Sequence, residues 1–282
     1  MTQRTHQAFA LIIPRFEDFF HSYYAEEIIK GVSQAASRLK VDILMHITDK
    51  FDHQDWLDSS FLSEDYIDGI IFADINSDIE TLQEVIVKGM PYIVLNNEFT
   101  APINSIYIDN KRAAVDVVEQ LIHLGHKKIA TIAGDLYTQA GRMRLEGYKE
   151  AMSRQGLAVR QEYMPAGNFL RTPARKAAQD LLKLSDRPTA VFAASDVMAL
   201  ELIDEAKHHN IRIPEDLSVV GFDDNPIIEY SPVKLTTVSQ PLVEMGRLGA
   251  EHLYQICQRT ARIPVKVVLK TEFVLRESVR AV

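Results

Sequence analysis

Short apolar runs rich in β-branched residues alternate along this chain with longer segments whose apolar positions recur at three-and-four spacing. The runs "FALIIP" (Phe9 to Pro14), "VDILMH" (Val41 to His46), "DGIIFAD" (Asp68 to Asp74) and "PYIVLNN" (Pro91 to Asn97) predict strands. Between them, "YYAEEIIKGVSQAASRLK", a segment around Trp56 to Tyr66, and "DIETLQEVIVKG" predict amphipathic helices. Such alternation is what βα units winding a parallel sheet require, so the expected fold class is α/β.

After "INSIYID" (Ile103 to Asp109) the pattern starts again. Helix "KRAAVDVVEQLIHLGH", strand "KIATIAG", helix "RLEGYKEAMSRQGL", a strand near Tyr163, helix "ARKAAQDLLKLS", strand "TAVFAAS", helix "VMALELIDEAKHHN" and strand "LSVVGFDD" follow in turn. The chain therefore reads as two similar halves in tandem, and the last part, "TTVSQPLVEMGRLGAEHLYQICQ" with "PVKVVLKTEFVLRE", is expected to cross back and complete both. Gly125 and Gly156 fall just past helical runs, where a left-handed C-cap favours glycine.

Composition narrows the function classes. With 282 residues, 46% apolar and 25% charged, the chain is long enough for two subdomains with a sizeable core. A net charge of -8 with dispersed acids leaves no basic face for a phosphate backbone, so the chain by itself is not expected to bind nucleic acid. The apolar segment before Pro14 is too short for an export signal or a membrane span, which points to the cytoplasm. A lone Cys257 in a helical run excludes an internal disulfide and reads as a buried structural thiol.

Parallel α/β sheets bind ligands outside the carboxyl ends of their strands, and two such sheets facing each other would form a cleft. Polar residues recur at those ends: Arg15 and Glu17, Asp74, Asn96 with Asn97 and Glu98, Ser195 with Asp196, and Asp223 with Asp224, while Arg142 and Arg144 open a helix. The nine histidines are scattered, so no metal is expected, and neither a phosphate-cradling glycine loop nor a G-x-S-x-G elbow is present, so no cofactor and no enzyme activity are expected. What remains is reversible binding of a polyhydroxylated small molecule, with carboxylate, guanidinium and carboxamide groups for the hydroxyls and aromatic faces for the ring. From "RFEDFFHSYY" and "AGNFLRT", Phe16, Phe20 and Phe169 are assigned to the pocket, leaving Tyr23 and Tyr24 to packing or an interface.

The stretch "PTAVFAASDVMALELIDEAKHHNIRIPEDLSVVGFDDNPIIEYSPVKLTTVSQPLVEMGRLGAEHL", with "GIIFAD", "PINSIYIDNKRAAVDVVEQLIHLGHKKIATIAG" and "RMRLEGYKEAM", resembles the effector-binding core of the lactose-repressor/galactose-repressor family of bacterial transcription regulators over essentially the whole chain. The resemblance implies the type I periplasmic-binding-protein fold: two Rossmann-like subdomains joined by three crossovers, 1–108 plus 241–271 and 109–240 plus 272–282. It implies Arg144 and Asp223 as the main anchors for effector hydroxyls, with Asn96, Ser195 and Gln240 contributing and Phe169 stacking. Ser195-Asp196 stands where the family commonly has Asn-Asp, and Asn96 where it often has Asp, so no familiar effector can be copied across. Arg142, if it reached the cleft, would favour an acidic group on the ligand.

The family's regulators begin with a helix-turn-helix DNA-binding domain, which these residues lack, and the expectation is a fragment of a repressor rather than a natural core-only protein. The implied mechanism is an effector bridging the two subdomains of a homodimer, with Tyr23 to Lys40 and Val197 to His208 resembling the dimer surface, and so controlling operator binding through the absent domain. Two other readings remain: a solute receptor for a sugar importer, and an enzyme acting on a sugar or nucleoside with Asp223 as base.

Overall fold

A computed structural model describes residues 7–14, 22–48, 66–75 and 79–282. The helix expected around Trp56, and the loop carrying Arg15, Phe16, Glu17, Phe19 and Phe20, lie outside the described residues. The chain divides into two compact units, Met1–Ile108 with Pro241–Leu269 and Asp109–Gln240 with Lys270–Val282.

In the first unit, strands β1 (Gln7–Pro14), β2 (Val41–Thr48), β3 (Gly69–Ala73), β4 (Tyr92–Leu95), β5 (Ser105–Ile108) and β10 (Lys266–Leu269) form one sheet in the order β10-β5-β4-β3-β1-β2. All its pairings are parallel, with Gln7 opposite Val41 and Phe9 opposite Gly69. Helices α1 (Tyr23–Leu39), α2 (Ile79–Val87) and α7 (Leu242–Cys257) accompany it. Ser22 starts α1 by accepting a hydrogen bond from the Ala25 amide, one of the donors a helix start leaves without a partner. Ala10, Ile12, Ile70, Phe72 and Val94 bury against one another, the continuous apolar character of strands covered on both faces.

The second unit repeats the plan. Strands β6 (Ile129–Ile132), β7 (Ala190–Ala193) and β8 (Ser218–Val220) are parallel neighbours in that order. Strands β9 (Thr237–Ser239) and β11 (Glu272–Val274) form an antiparallel pair, joined to the β8 side by single bridges between Val220 and Thr236 and between Asp223 and Ser239. Helices α3 (Asn110–His123), α4 (Gln139–Arg154), α5 (Arg171–Leu182) and α6 (Asp196–His208) lie between the strands in sequence. Asp109, Thr138 and Ser195 cap α3, α4 and α6 with side-chain oxygens, and Gly125 and Gly156 take the left-handed conformation expected of them.

Two elements differ from expectation. The segment near Tyr163 is a 3-10 helix, Gln161–Tyr163, because the Tyr163 hydroxyl donates to the Asp186 carbonyl and its ring packs under the Arg160 guanidinium. Only a bridge from Ala133 to Ala166 stands where a strand was expected, and it adds to β6. "LSVVGFDD" also stops being strand after Val220, so Phe222 to Asp224 run beyond the sheet.

Candidate functional site

The segment leaving β8 has unusual backbone. Asp223 has φ 130° and Asp224 φ 59°, two consecutive non-glycine residues in the positive-φ region, a conformation held only where the surroundings over-determine it. The amide of Asp223 donates to the Val238 carbonyl at 2.8 Å, and its bridge to Ser239 pins it beside β9.

The buried carboxylate of Asp196, 0% exposed at the start of α6, supplies the rest of the constraint. It accepts from the Thr237 hydroxyl at 2.5 Å and from the Asn225 amide at 2.8 Å, while its own amide donates to the Phe222 carbonyl at 2.7 Å. Asn225 in turn accepts from the Ile227 amide and starts the 3-10 helix Pro226–Tyr230. The turn before Pro226 is thus organised by Asn225 and Asp196. Asp224, in the left-handed conformation, accepts instead from the Arg276 guanidinium at 2.7 Å, on the returning C-terminal segment.

Arg144, on the second turn of α4, is 4% exposed. Its Nε donates to Asn110 Oδ1 at 2.9 Å and its Nη1 to the Ala194 carbonyl at 2.7 Å, which spreads the fork between α3 and the end of β7. The guanidinium carbon lies 3.6 Å from the Phe222 ring centre and 5.7 Å from that of Phe169, a cation held by aromatic faces. Asn168 and Phe169 both have positive φ, which brings the Phe169 ring against Gly134, where a Cβ would lie 2.1 Å from the ring. Asp223 Oδ1 is 3.7 Å from Arg144 Nη1 and accepts from Gln240 Nε2 at 2.6 Å. Burial pushes the Asp223 carboxyl above its ordinary value; the Arg144 guanidinium pulls it down and the charge of Asp196 pushes it up again.

Arg144, Phe169, Asp223 and Gln240 are therefore assembled at the carboxyl ends of β6, β7 and β8. In the second unit the order of neighbours reverses at β6, flanked by β7 and by the Ala166 bridge, and open α/β sheets bind ligands at such a reversal. Gln240 is 8% exposed and its Oε1 has no hydrogen-bond partner among the described residues. Ser195 lies one residue beyond the carbonyl that receives Arg144, and its hydroxyl oxygen accepts from the Met198 amide as a helix cap. Arg142 donates through Nη1 to the Leu136 and Tyr137 carbonyls, which stiffens the turn after β6.

In the first unit, Asp74 and Asn96 sit at the ends of adjacent strands β3 and β4, both buried and both with φ 62°. Asn97 joins them to one local network: its Nδ2 donates to Asp74 Oδ1 at 3.4 Å and its Oδ1 accepts from the Ile75 amide. Asn96 Oδ1 has no hydrogen-bond partner among the described residues. Phe16 and Phe20 are outside the described residues. Sequence reasoning passed over Asn110 and Phe222 as parts of the site. Phe222 looked like core. No three His, Cys, Asp or Glu side chains among the described residues cluster as metal ligands, and no described helix is long and apolar enough to cross a membrane.

The family described as periplasmic binding protein-like domain matches residues 118–279. The HTH-type transcriptional repressor CytR of Escherichia coli (strain K12) is 33% identical over 276 residues, covering 96% of this chain and 79% of the relative. The chain belongs to the lactose-repressor/galactose-repressor family. Catabolite control protein A of Priestia megaterium, 31% identical, shares 85% of this chain and 71% of its own length. Among solved structures, a transcriptional regulator CelR-cellobiose complex superposes with a TM-score of 0.88 at 29% identity, covering 97% of this chain and 85% of that one. A lac repressor dimer bound to operator and an anti-inducer has the same TM-score of 0.88 at 22% identity and shares the fold. As a member of this family, the chain is the effector-sensing core of a transcription regulator and not an enzyme.

Proposed function

We propose that the effector is a sugar or sugar-like small molecule that seats on the carboxyl ends of the second unit's strands, with Asp223 and Gln240 receiving its hydroxyls, Arg144 anchoring the cluster and Phe169 covering a ring face. Ser195, and Asp74 and Asn96 at the strand ends of the first unit, are proposed as further contacts, together with Phe16 and Phe20. The observation that carries this reading is the assembled cluster itself: a stacked, hydrogen-bonded guanidinium 3.7 Å from a carboxylate, beside a buried carboxamide oxygen that lacks a partner among the described residues. A buried acceptor left without a donor is costly, and a ligand hydroxyl would satisfy it. The CelR relative in complex with cellobiose supports the same ligand class.

In this reading the regulator works as a cytoplasmic homodimer, and operator contact belongs to a helix-turn-helix domain outside these residues. Effector control then requires different affinities for the DNA-competent and incompetent states, since equal affinity would shift nothing. A thermal-shift screen of mono- and disaccharides, sugar acids and purines tests the proposal, because a ligand that binds the native state raises its apparent stability. Arg144→Ala and Asp223→Ala are expected to abolish the ligand-induced shift in chains that still fold. Undiminished shifts in both variants would place the site elsewhere.

A further inference from the structure

The charges and hydrogen-bonding capacity around Asp223 discriminate between kinds of sugar-like ligand. An anionic effector, a sugar acid or a sugar phosphate, needs donors or cations with capacity to spare. Among the described residues, each guanidinium nearby already has protein partners. Arg144 donates to Asn110 and Ala194 and lies beside Asp223, Arg142 donates to the Leu136 and Tyr137 carbonyls, and Arg276 donates to Asp224 and to the Leu235 carbonyl.

Helix N-termini are the other usual anion sites, and those of α4 and α6 carry side-chain caps. The start of α6 carries Ser195 as cap and the Asp196 carboxylate in its first turn. The start of α4 is capped by Thr138, which donates to the Asp135 carbonyl and accepts from the Gly141 amide.

What the site does present is acceptors. Gln240 Nε2 donates to the Asp223 carboxylate, and this contact fixes which end of the carboxamide is which. Its oxygen is therefore the atom left over, buried and without a partner among the described residues. Behind it stand two carboxylates, Asp223 and the fully buried Asp196. Both carboxyls are pushed up, chiefly by burial, so the cluster already resists its own negative charge.

We infer that this half of the site selects neutral, hydroxyl-rich effectors and rejects their carboxylated or phosphorylated counterparts. The inference rests on the effector reading above and narrows it. A hydroxyl donates to Gln240 Oε1 and to Asp223, whereas a carboxylate or phosphate at the same place would set oxygen lone pairs against oxygen lone pairs in a poorly solvated pocket. It also removes the acidic ligand group that Arg142 suggested in the sequence, since that side chain is bound to the turn it stiffens.

The test uses the full chain of 282 residues and matched pairs: glucose with glucuronate, galactose with galacturonate, ribose with ribose 5-phosphate, and cellobiose with cellobionate, in thermal-shift and calorimetric titrations. In any pair whose neutral member binds, the anionic member is expected to bind roughly 100-fold more weakly or worse, as for a site whose buried groups are left mismatched. Asp223→Asn should weaken the neutral member yet tighten the anionic one in calorimetric titration, and so shrink that ratio, because it removes the less buried carboxylate of the pair. An anionic member that binds as well as its neutral partner overturns the inference while leaving the effector reading intact, and so does an unchanged ratio in Asp223→Asn. If neither neutral nor anionic compounds bind, the effector reading itself fails and the selectivity falls with it.

Discussion

Asp196 Oδ1 occupies the space in which a Cβ on Gly221 would stand, 2.1 Å from that point. The carboxylate packs onto bare backbone and from there holds Thr237 and Asn225, so one buried acid grips the chain on both sides of the Phe222 to Asp224 segment. The absence of a side chain at residue 221 is thus tied to the placement of Asp223 two residues later.

Gly221→Ala should force the two elements apart. Overpacking of this kind costs about 1–3 kcal/mol, equivalent to a fall of roughly 2–4 °C in Tm per kcal/mol for a chain of this size class. Calorimetry of the ligand-free protein would show it, and an unchanged midpoint would mean that the carboxylate moves aside freely.

The two aspartates of "SVVGFDD" should separate by function. Asp224→Asn loses a partly exposed ion pair with Arg276, worth about 1 kcal/mol or less, and should keep its ligand-induced thermal shift. Asp223→Asn should lose most of that shift. Equal losses in the two variants would contradict the division of roles.

Replacing Arg144 by Lys keeps the charge but not the planar fork. A single ammonium cannot serve Asn110 Oδ1 and the Ala194 carbonyl and still stack on Phe222, so at least one buried acceptor loses its donor. The expected destabilisation is about 1–3 kcal/mol, read from urea unfolding. A midpoint equal to the unsubstituted protein would show that charge alone suffices.

The pH dependence follows from burial. Asp223 and Asp196 are both held above the ordinary carboxyl value of 3.8, first by desolvation, with Arg144 opposing for Asp223 and Thr237 and Asn225 opposing for Asp196. The folded state therefore keeps protons that the unfolded chain has released. This stabilisation is complete below 3.8 and is lost as pH rises through the elevated folded values. Between pH 5 and pH 8 the ligand-free midpoint should fall, and Asp223→Asn should flatten the slope. Ligand stabilisation should run the other way, larger at pH 8, because hydroxyl donors favour an ionised acceptor. A rising ligand-free midpoint across this interval would reverse the assignment.

Elements whose signal is local were legible in the sequence. The alternation of apolar runs and amphipathic segments marked β1 to β4 and β6 to β8, and the restart after Asp109 marked the second parallel sheet. The caps and the left-handed glycines also follow from nearest-neighbour hydrogen bonding and sterics. The strand near Tyr163 was misread because a hydroxyl reaching Asp186 and a cation over the ring outweighed an extended preference. Collinear motifs sufficed for family membership, since they report inheritance rather than geometry.

The division of labour among charged side chains was decided only by the tertiary structure. Sequence placed Asp223 and Asp224 together at the end of β8 but could not show that consecutive positive-φ residues turn one toward Arg144 and the other toward Arg276, residues distant in the chain. Nor could it show that Phe222 is the face on which Arg144 lies, or that Asp196 braces the turn from α6. Local pattern is written in periods of two and 3.6 residues. The partners of a buried charge are set by whichever groups the folded chain brings within hydrogen-bonding distance, and desolvation makes those partners obligatory.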